Sequence, residues 1–123
     1  MADARVLIVD DNPATVEFLD SRLRSVGYHT TICRDGTQAL EAITRLPPDL
    51  VILDVTMPGM NGYQCCREIK RLRAALPVII LTAKSSPADR FWAVESGADA
   101  FFNKPVDPHV VVQRIDALLN GRP

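Results

Sequence analysis

Residues 6–12 read VLIVDDN, and the fold is decided by how that run is taken. Val6 to Val9 is a short, unbroken apolar stretch, the pattern of a strand covered on both faces. Two acids follow at once. Asp10 and Asp11 repel each other, and each loses hydration beside a core. A strand ending on both is setting charge at a rim. A strand covered on both faces also needs parallel neighbours and flanking helices, so the remainder of the chain is read for alternating strands and helices.

That alternation is present. Strands are expected over Arg5–Val9, Tyr28–Cys33, Leu50–Leu53, Val78–Leu81 and Ala100–Phe102. Asn12 caps a first helix with Pro13 at its first position and Gly27 just past its end. Val16, Leu19, Leu23 and Val26 form its apolar stripe. Asp35 caps a second helix with Leu40, Ile43 and Leu46 at helical spacing, stopped by Pro47 and Pro48. A third runs from about Gly62 to Leu72, with Cys66, Ile69 and Leu72 inward. Ser86 and Asp89 frame a capping box around Pro87, and Gly97 ends the fourth helix. Asp107 and Pro108 open the fifth, and Gly121 follows it. Five β-then-α units imply an α/β domain with a parallel sheet and helices on both faces. Right-handed crossovers leave few topologies, the simplest being a doubly wound five-stranded sheet of order 2-1-3-4-5. Such a sheet binds its ligand at the carboxyl ends of strands 1 and 3.

Composition sets the outer limits. The chain has 123 residues, 47% hydrophobic and 24% charged, with a formal net charge of −1. This suits one domain over residues 1–123 with a real core. There is no basic field to recruit nucleic acid or anionic lipid. No apolar run spans a bilayer and no leader precedes the first strand, so a cytoplasmic protein is expected. The three cysteines, Cys33, Cys65 and Cys66, fit neither a disulfide framework nor a zinc motif and read as reduced thiols.

The strand ends carry the chemistry. Strand 1 ends in Asp10 and Asp11, strand 3 in Asp54, strand 4 in Thr82, and strand 5 in Asn103, Lys104 and Pro105. Two like charges about 4 Å apart repel by about 4 kcal/mol at an effective dielectric near 20. Three acids at one rim therefore need a counter-charge, or one of them stays protonated. A hard divalent cation answers that need. Mg²⁺ takes one or two carboxylates, keeps waters and shares its other positions with phosphate oxygens. Lys104 suits a point-charge contact with a phosphoryl oxygen, Thr82 a hydrogen bond to another, and Asp54 a nucleophile toward phosphorus.

VDD at 9–11, LDVTMPGMNG at 53–62, LTA at 81–83 and GADAFFNKP at 97–105, in this order, resemble the receiver domain of bacterial two-component response regulators, over essentially the whole chain. The resemblance implies a flavodoxin-like fold and a regulatory domain, not an enzyme in its own right, that assists its own phosphorylation and dephosphorylation. Asp54 would accept a phosphoryl group from a histidine kinase, a phosphotransfer protein or a small phosphodonor. Asp11 would be a direct ligand of Mg²⁺ (or Mn²⁺) and Asp10 would act through a metal-bound water. The Thr56 backbone carbonyl and a carboxylate oxygen of Asp54 would complete the protein ligands. Lys104 would pair with the phosphoryl group and, beforehand, with the acid. A cis bond before Pro105 would aim the ammonium inward. Thr82 would move toward the phosphoryl group and Phe101 would turn inward behind it. Phe101 stands where many relatives carry tyrosine, and Val106 where phenylalanine is frequent. Thr56 and Lys84 match positions that tune phosphoryl lifetime. The partners implied are a kinase or phosphotransfer protein, and a downstream target or linked output domain. Phosphorylation-dependent dimerisation is also implied, with no nucleic-acid contact by this domain and none with a membrane.

Trp92 shares its predicted helical face with Ala88, Asp89, Glu95 and Ser96, which favours a partly exposed indole at a contact site; the alternative is a ring lying flat over a neighbouring helix. Arg67, Lys70, Arg71 and Arg73 read as solvated cations near a helix C-terminus. Gly59 and Gly62 read as backbone devices. His29 and His109 lack a supporting constellation, and Tyr63 is expected to pack at the start of the third helix. Three other functions fit the sequence less well. A nucleotide or flavin module wants a first loop rich in N–H donors, where this chain has DDNPAT. A phosphatase of the aspartyl-phosphate type wants a second acid where Val55 and Thr56 stand. A phosphorylation-independent receiver would often have lost the acids or the lysine, which are all present.

Overall fold

The computed structural model describes residues 3–120. In chain order the elements are β1 (Arg5–Val9), α1 (Pro13–Ser25), β2 (His29–Cys33), α2 (Gly36–Arg45), β3 (Leu50–Leu53), α3 (Gly62–Leu72), β4 (Val78–Thr82), α4 (Pro87–Glu95), β5 (Ala100–Asn103) and α5 (Pro108–Asn120). The five strands pair in parallel in the order β2-β1-β3-β4-β5.

The two faces follow from the period-2 alternation of the strands. Val6, Ile8, Leu50, Ile52, Ile79 and Leu81 pack with Leu19 and Leu23 of α1 and Val111 and Ile115 of α5. Leu7, Val9, Val51, Leu53 and Val78 pack the other way, against Ile43 of α2 and Cys65, Cys66 and Ile69 of α3. All residues of β3 and β4 are buried, as the central strands of a two-sided sheet must be. Each fully buried aliphatic side chain contributes about 1.5–3 kcal/mol relative to exposure.

The caps lie where the sequence places them. Asn12 accepts from the N–H groups of Ala14 and Thr15, Asp35 from Gln38, and Ser86 and Asp89 form a reciprocal capping box. Gly27 and Gly97 sit at φ 99° and 91°, the left-handed geometry that closes a helix. Gly121 lies outside the described residues.

Some expectations shift. β2 begins at His29, because the Tyr28 N–H bonds the Leu23 carbonyl instead of the ladder and its hydroxyl donates to Asp116. β4 and β5 each run one residue further, to the paired Thr82 and Asn103. Val26, Leu46 and Leu72 are exposed, not inward. Val26 and Leu46 are cap residues that have left helical geometry. Leu46 and Leu72 also end runs of two i+3 steps, which drift about 120° around a helix. Cys65, not counted among the inward residues of α3, is buried there beside the expected Cys66 and Ile69. All three thiols are free and buried, and burial, the largest cause, pushes Cys65 up to about 12. Among the described residues no helix is long and apolar enough to cross a membrane.

Candidate functional site

Two loops deliver the three acids to one rim. β1 and β3 are neighbours in register, Val9 opposite Leu53, so the residues that follow them emerge side by side. Asp10 is 3% and Asp54 7% exposed, while Asp11 faces solvent. A ligating oxygen from each of the three lies within 4.8 Å of the others. The loop after β3 must fold tightly to return into α3, and Gly62 makes that approach feasible. A Cβ there would stand 2.3 Å from Val55 Cα and 2.5 Å from the Asp54 carbonyl oxygen.

The backbone orients two of the acids. Asp10 Oδ1 accepts from the Asn12 N–H at 2.9 Å, and Asp54 Oδ1 from the Thr56 N–H at 3.3 Å. Their other oxygens face one cation: Lys104 Nζ lies 2.9 Å from Asp10 Oδ2 and 3.3 Å from Asp54 Oδ2. The sequence paired Lys104 with an acid of the pocket without saying which; the structure gives it both, Asp10 the closer. The Lys104–Pro105 bond is cis. Burial pushes the Asp10 carboxyl up from 3.8, against the opposing pull of the Asn12 N–H and Lys104. Burial also acts to lower Lys104, but Asp10 and Asp54 outweigh it and its pKa ends above 10.5. The pocket is thus short of positive charge even with its lysine in place.

Thr82 is buried at the end of β4, and its Oγ1 accepts from the Lys84 N–H at 3.2 Å. Thr56 and the Lys84 side chain lie exposed beside the rim. Phe101 is half-buried in a small cluster with Val55, Ile80, Ala93 and Tyr63, and the Arg90 guanidinium stacks 5.5 Å from its ring centroid. Tyr63 does pack at the start of α3, and its hydroxyl donates to Asp89 Oδ1 at 3.0 Å. Val106 packs partly against the α1–α5 side of the core.

Trp92 is exposed, as are Phe91 and Val94. Its indole meets Phe91 edge-on, with centroids 5.1 Å apart, and borders a shallow hollow with Asn61, Tyr63, Gln64 and Arg67 of α3. The polar company expected for it is incomplete, since Ser96 is buried and its hydroxyl donates to the Ala93 carbonyl. Of the α3 cations, Lys70 is not simply solvated; it bonds Asp99 at 2.7 Å and the Leu76 carbonyl at 2.8 Å. His29 and His109 are exposed and away from the acids. Reasoning from sequence missed Phe18, whose exposed ring lines an apolar groove of about 570 Å³ with Leu81, Lys104, Pro105 and Val106. It also missed Arg90 and the side chain of Asn103; a polar residue preceding Lys104 at a strand end was the available signal.

Fold and rim together define a doubly wound α/β domain with an acidic, lysine-bridged pocket at its topological switch point. The family model described as the response regulator receiver domain matches residues 6–116, and the chain belongs to that family, the regulatory switch module of two-component signal transduction. It is 44% identical over 115 residues to the DNA-binding response regulator MtrA of Mycolicibacterium smegmatis, covering 94% of this chain and 50% of that protein. Against the transcriptional regulatory protein BaeR of Escherichia coli the identity is 39%, covering 94% and 48%. The chain thus spans about half the length of these curated relatives. The receiver domain of a signal transduction histidine kinase from Syntrophus aciditrophicus superposes with a TM-score of 0.90 at 39% identity, covering 96% and 91% of the two chains. A receiver domain protein from Methanospirillum hungatei does so with 0.91 at 28%, covering 95% and 94%.

Proposed function

We propose that residues 1–123 act as one receiver domain that takes a phosphoryl group onto Asp54 in a Mg²⁺-dependent reaction and passes the change to a partner surface. The observation that carries this reading is the three-acid cluster of Asp10, Asp11 and Asp54, two of whose carboxylates, Asp10 and Asp54, face Lys104. Its donors are all hard oxygens, the set that Mg²⁺ or Mn²⁺ prefers. Asp11 and Asp54 with the Thr56 carbonyl would hold the ion directly, and Asp10 through water. Bound there, the ion supplies the positive charge the pocket lacks, both for the acids and for incoming phosphoryl oxygens.

The chain's own groups do the remainder. An Asp54 carboxylate oxygen attacks phosphorus as the bond to the donor, a kinase imidazole nitrogen or the acyl oxygen of acetyl phosphate, breaks. The leaving group departs with the bonding pair. Lys104 follows the negative charge from the carboxylates to the phosphoryl oxygens, so positioning and charge neutralisation supply most of the catalysis. Water later attacks phosphorus, returning the carboxylate and inorganic phosphate; Thr56 and Lys84 flank that approach and set its rate. The Thr82 hydroxyl turns to a phosphoryl oxygen and Phe101 follows it inward. The groove beside Phe18 and Pro105 adjoins Lys104 and suits a cytoplasmic histidine kinase or phosphotransfer protein presenting its donor. The exposed face of α4 around Trp92 suits a downstream target, a linked output domain or a second phosphorylated copy.

The test is labelling by acetyl phosphate, read by intact mass. The wild-type protein gains one phosphoryl group with Mg²⁺ and none with EDTA, and Asp54→Asn gains none. Full labelling of Asp54→Asn, or labelling indifferent to EDTA, overturns the reading.

A further inference from the structure

The side chain of Asn103 joins three parts of the molecule. Its Nδ2 donates to the Lys84 carbonyl at 2.8 Å and to the Thr82 carbonyl at 3.3 Å. Its Oδ1 accepts from Arg90 Nη2 at 3.4 Å, and Arg90 in turn lies on the Phe101 ring. The Thr82 carbonyl also accepts the Lys104 N–H at 2.8 Å. Lys84, two residues beyond β4, is therefore held at both of its backbone groups: its N–H by the Thr82 hydroxyl and its carbonyl by Asn103.

These two holds differ in kind. The Thr82 hydroxyl has one position and two claims on it. If it turns to a phosphoryl group, it releases the Lys84 N–H. None of these Asn103 hydrogen bonds goes to the acids, so a phosphoryl group on Asp54 offers the amide no replacement partner. For the loop after β4 to follow Thr82, the amide has to let the Lys84 carbonyl go, so its grip belongs to the resting arrangement alone. We propose that Asn103 is a positioning residue that holds this loop and the first turn of α4 in the resting arrangement and so opposes the switch. The proposal rests on the phosphoacceptor reading above and adds to it the residue that sets the resting population.

A contact made only in the resting state taxes any ligand that favours the other state. Removing a hydrogen bond of ordinary net strength should therefore raise the apparent affinity for such a ligand about threefold to tenfold. The probe is beryllofluoride with Mg²⁺, which mimics the phosphoryl group on Asp54 without turning over. Asn103→Ala and Asn103→Leu, the second keeping the side chain's bulk, should both bind it about threefold to tenfold more tightly than wild type. Affinity for Mg²⁺ alone should stay within about twofold, because the acids are untouched. A merely structural asparagine would lower the melting temperature and leave the beryllofluoride affinity unchanged or weaker. That result in either folded variant overturns the proposal. If the wild-type protein itself binds no beryllofluoride with Mg²⁺, the phosphoacceptor reading falls first and this one with it. If wild type binds and the variants match it, only the role of Asn103 falls.

Discussion

β3 and α4 are held in place by different means. Every residue of β3 is buried, and Asp54 follows directly on it. α4 has nine residues, of which Ala93 alone is buried. What positions α4 is a ring of polar pins around its first turn: the Ser86–Asp89 box, the Tyr63 hydroxyl on Asp89, and Arg90 on Asn103 and Phe101. Core packing is stiff and gives way abruptly; exposed hydrogen bonds contribute little each and can be exchanged. The site is thus built on the rigid part of the fold, and the surface that would report its state is built on the exchangeable part.

The largest effect should come from breaking the rigid side. Ile52 sits in mid-β3 between β1 and β4 and packs with the α1–α5 face of the core. Ile52→Ala should cost about 2–5 kcal/mol in urea unfolding, the range for a buried aliphatic truncation. Loss of that size threatens the whole domain and should lower the labelling of Asp54 by disordering its strand. A cost below about 1 kcal/mol would mean that β3 is no stiffer than α4, and the contrast would fail.

The two regions were also unequally legible from the sequence. The sheet was readable because VLIV, LVIL and VIIL are apolar runs bounded by turn residues, and burial on both faces leaves such runs few other fates. Asp10, Asp11, Asp54, Thr82 and Lys104 were readable for the same reason: each directly ends or follows a strand, and strand order then fixes who meets whom. The charge balance was less legible, since the 2.9 Å contact from Lys104 to Asp10 depends on the rotamer of a long side chain. Of the α4 pins, the Ser86–Asp89 box was legible from local spacing, but the long-range ones were not. Tyr63 and Asp89 are 26 residues apart and Arg90 and Asn103 are 13 apart, and nothing in local periodicity pairs polar side chains across a loop. The inward assignment of the last apolar residues of α2 and α3 failed for a geometric reason, as the i+3 steps to Leu46 and Leu72 show.

A smaller effect should appear at the rim itself, and with the opposite sign. Burial outweighs the partners of Asp10 and raises its folded-state pKa above 3.8. A carboxyl raised on folding makes the native state bind more protons than the unfolded one. The metal-free protein therefore loses stability as pH rises through the window that opens at 3.8 and closes at the raised value. Asp10→Asn removes that cost and should stabilise the metal-free protein by about 0.5–2 kcal/mol at neutral pH, the size of a typical single stabilising substitution. The same variant should flatten the slope of stability across that pH window and lose most of the thermal shift produced by added Mg²⁺. A variant less stable than wild type without metal would show that the Lys104 pair outweighs the burial of the acid.

The smallest effect belongs on the outer side of α4. Val94 is 75% exposed, so Val94→Ala removes little buried area, and the loss is offset by the better helix propensity of alanine, a few tenths of a kcal/mol. The net change in unfolding free energy should stay within about 0.5 kcal/mol, as for other surface positions. Phe91 and Trp92 touch each other edge-on, yet both remain exposed, so the helix holds apolar surface that adds little to its own stability. Under the function proposed above, this is the surface that a partner would cover. A loss above about 1 kcal/mol for Val94→Ala would place that residue within the packing that holds α4, and the division between a packed site and a pinned reporter would have to be redrawn.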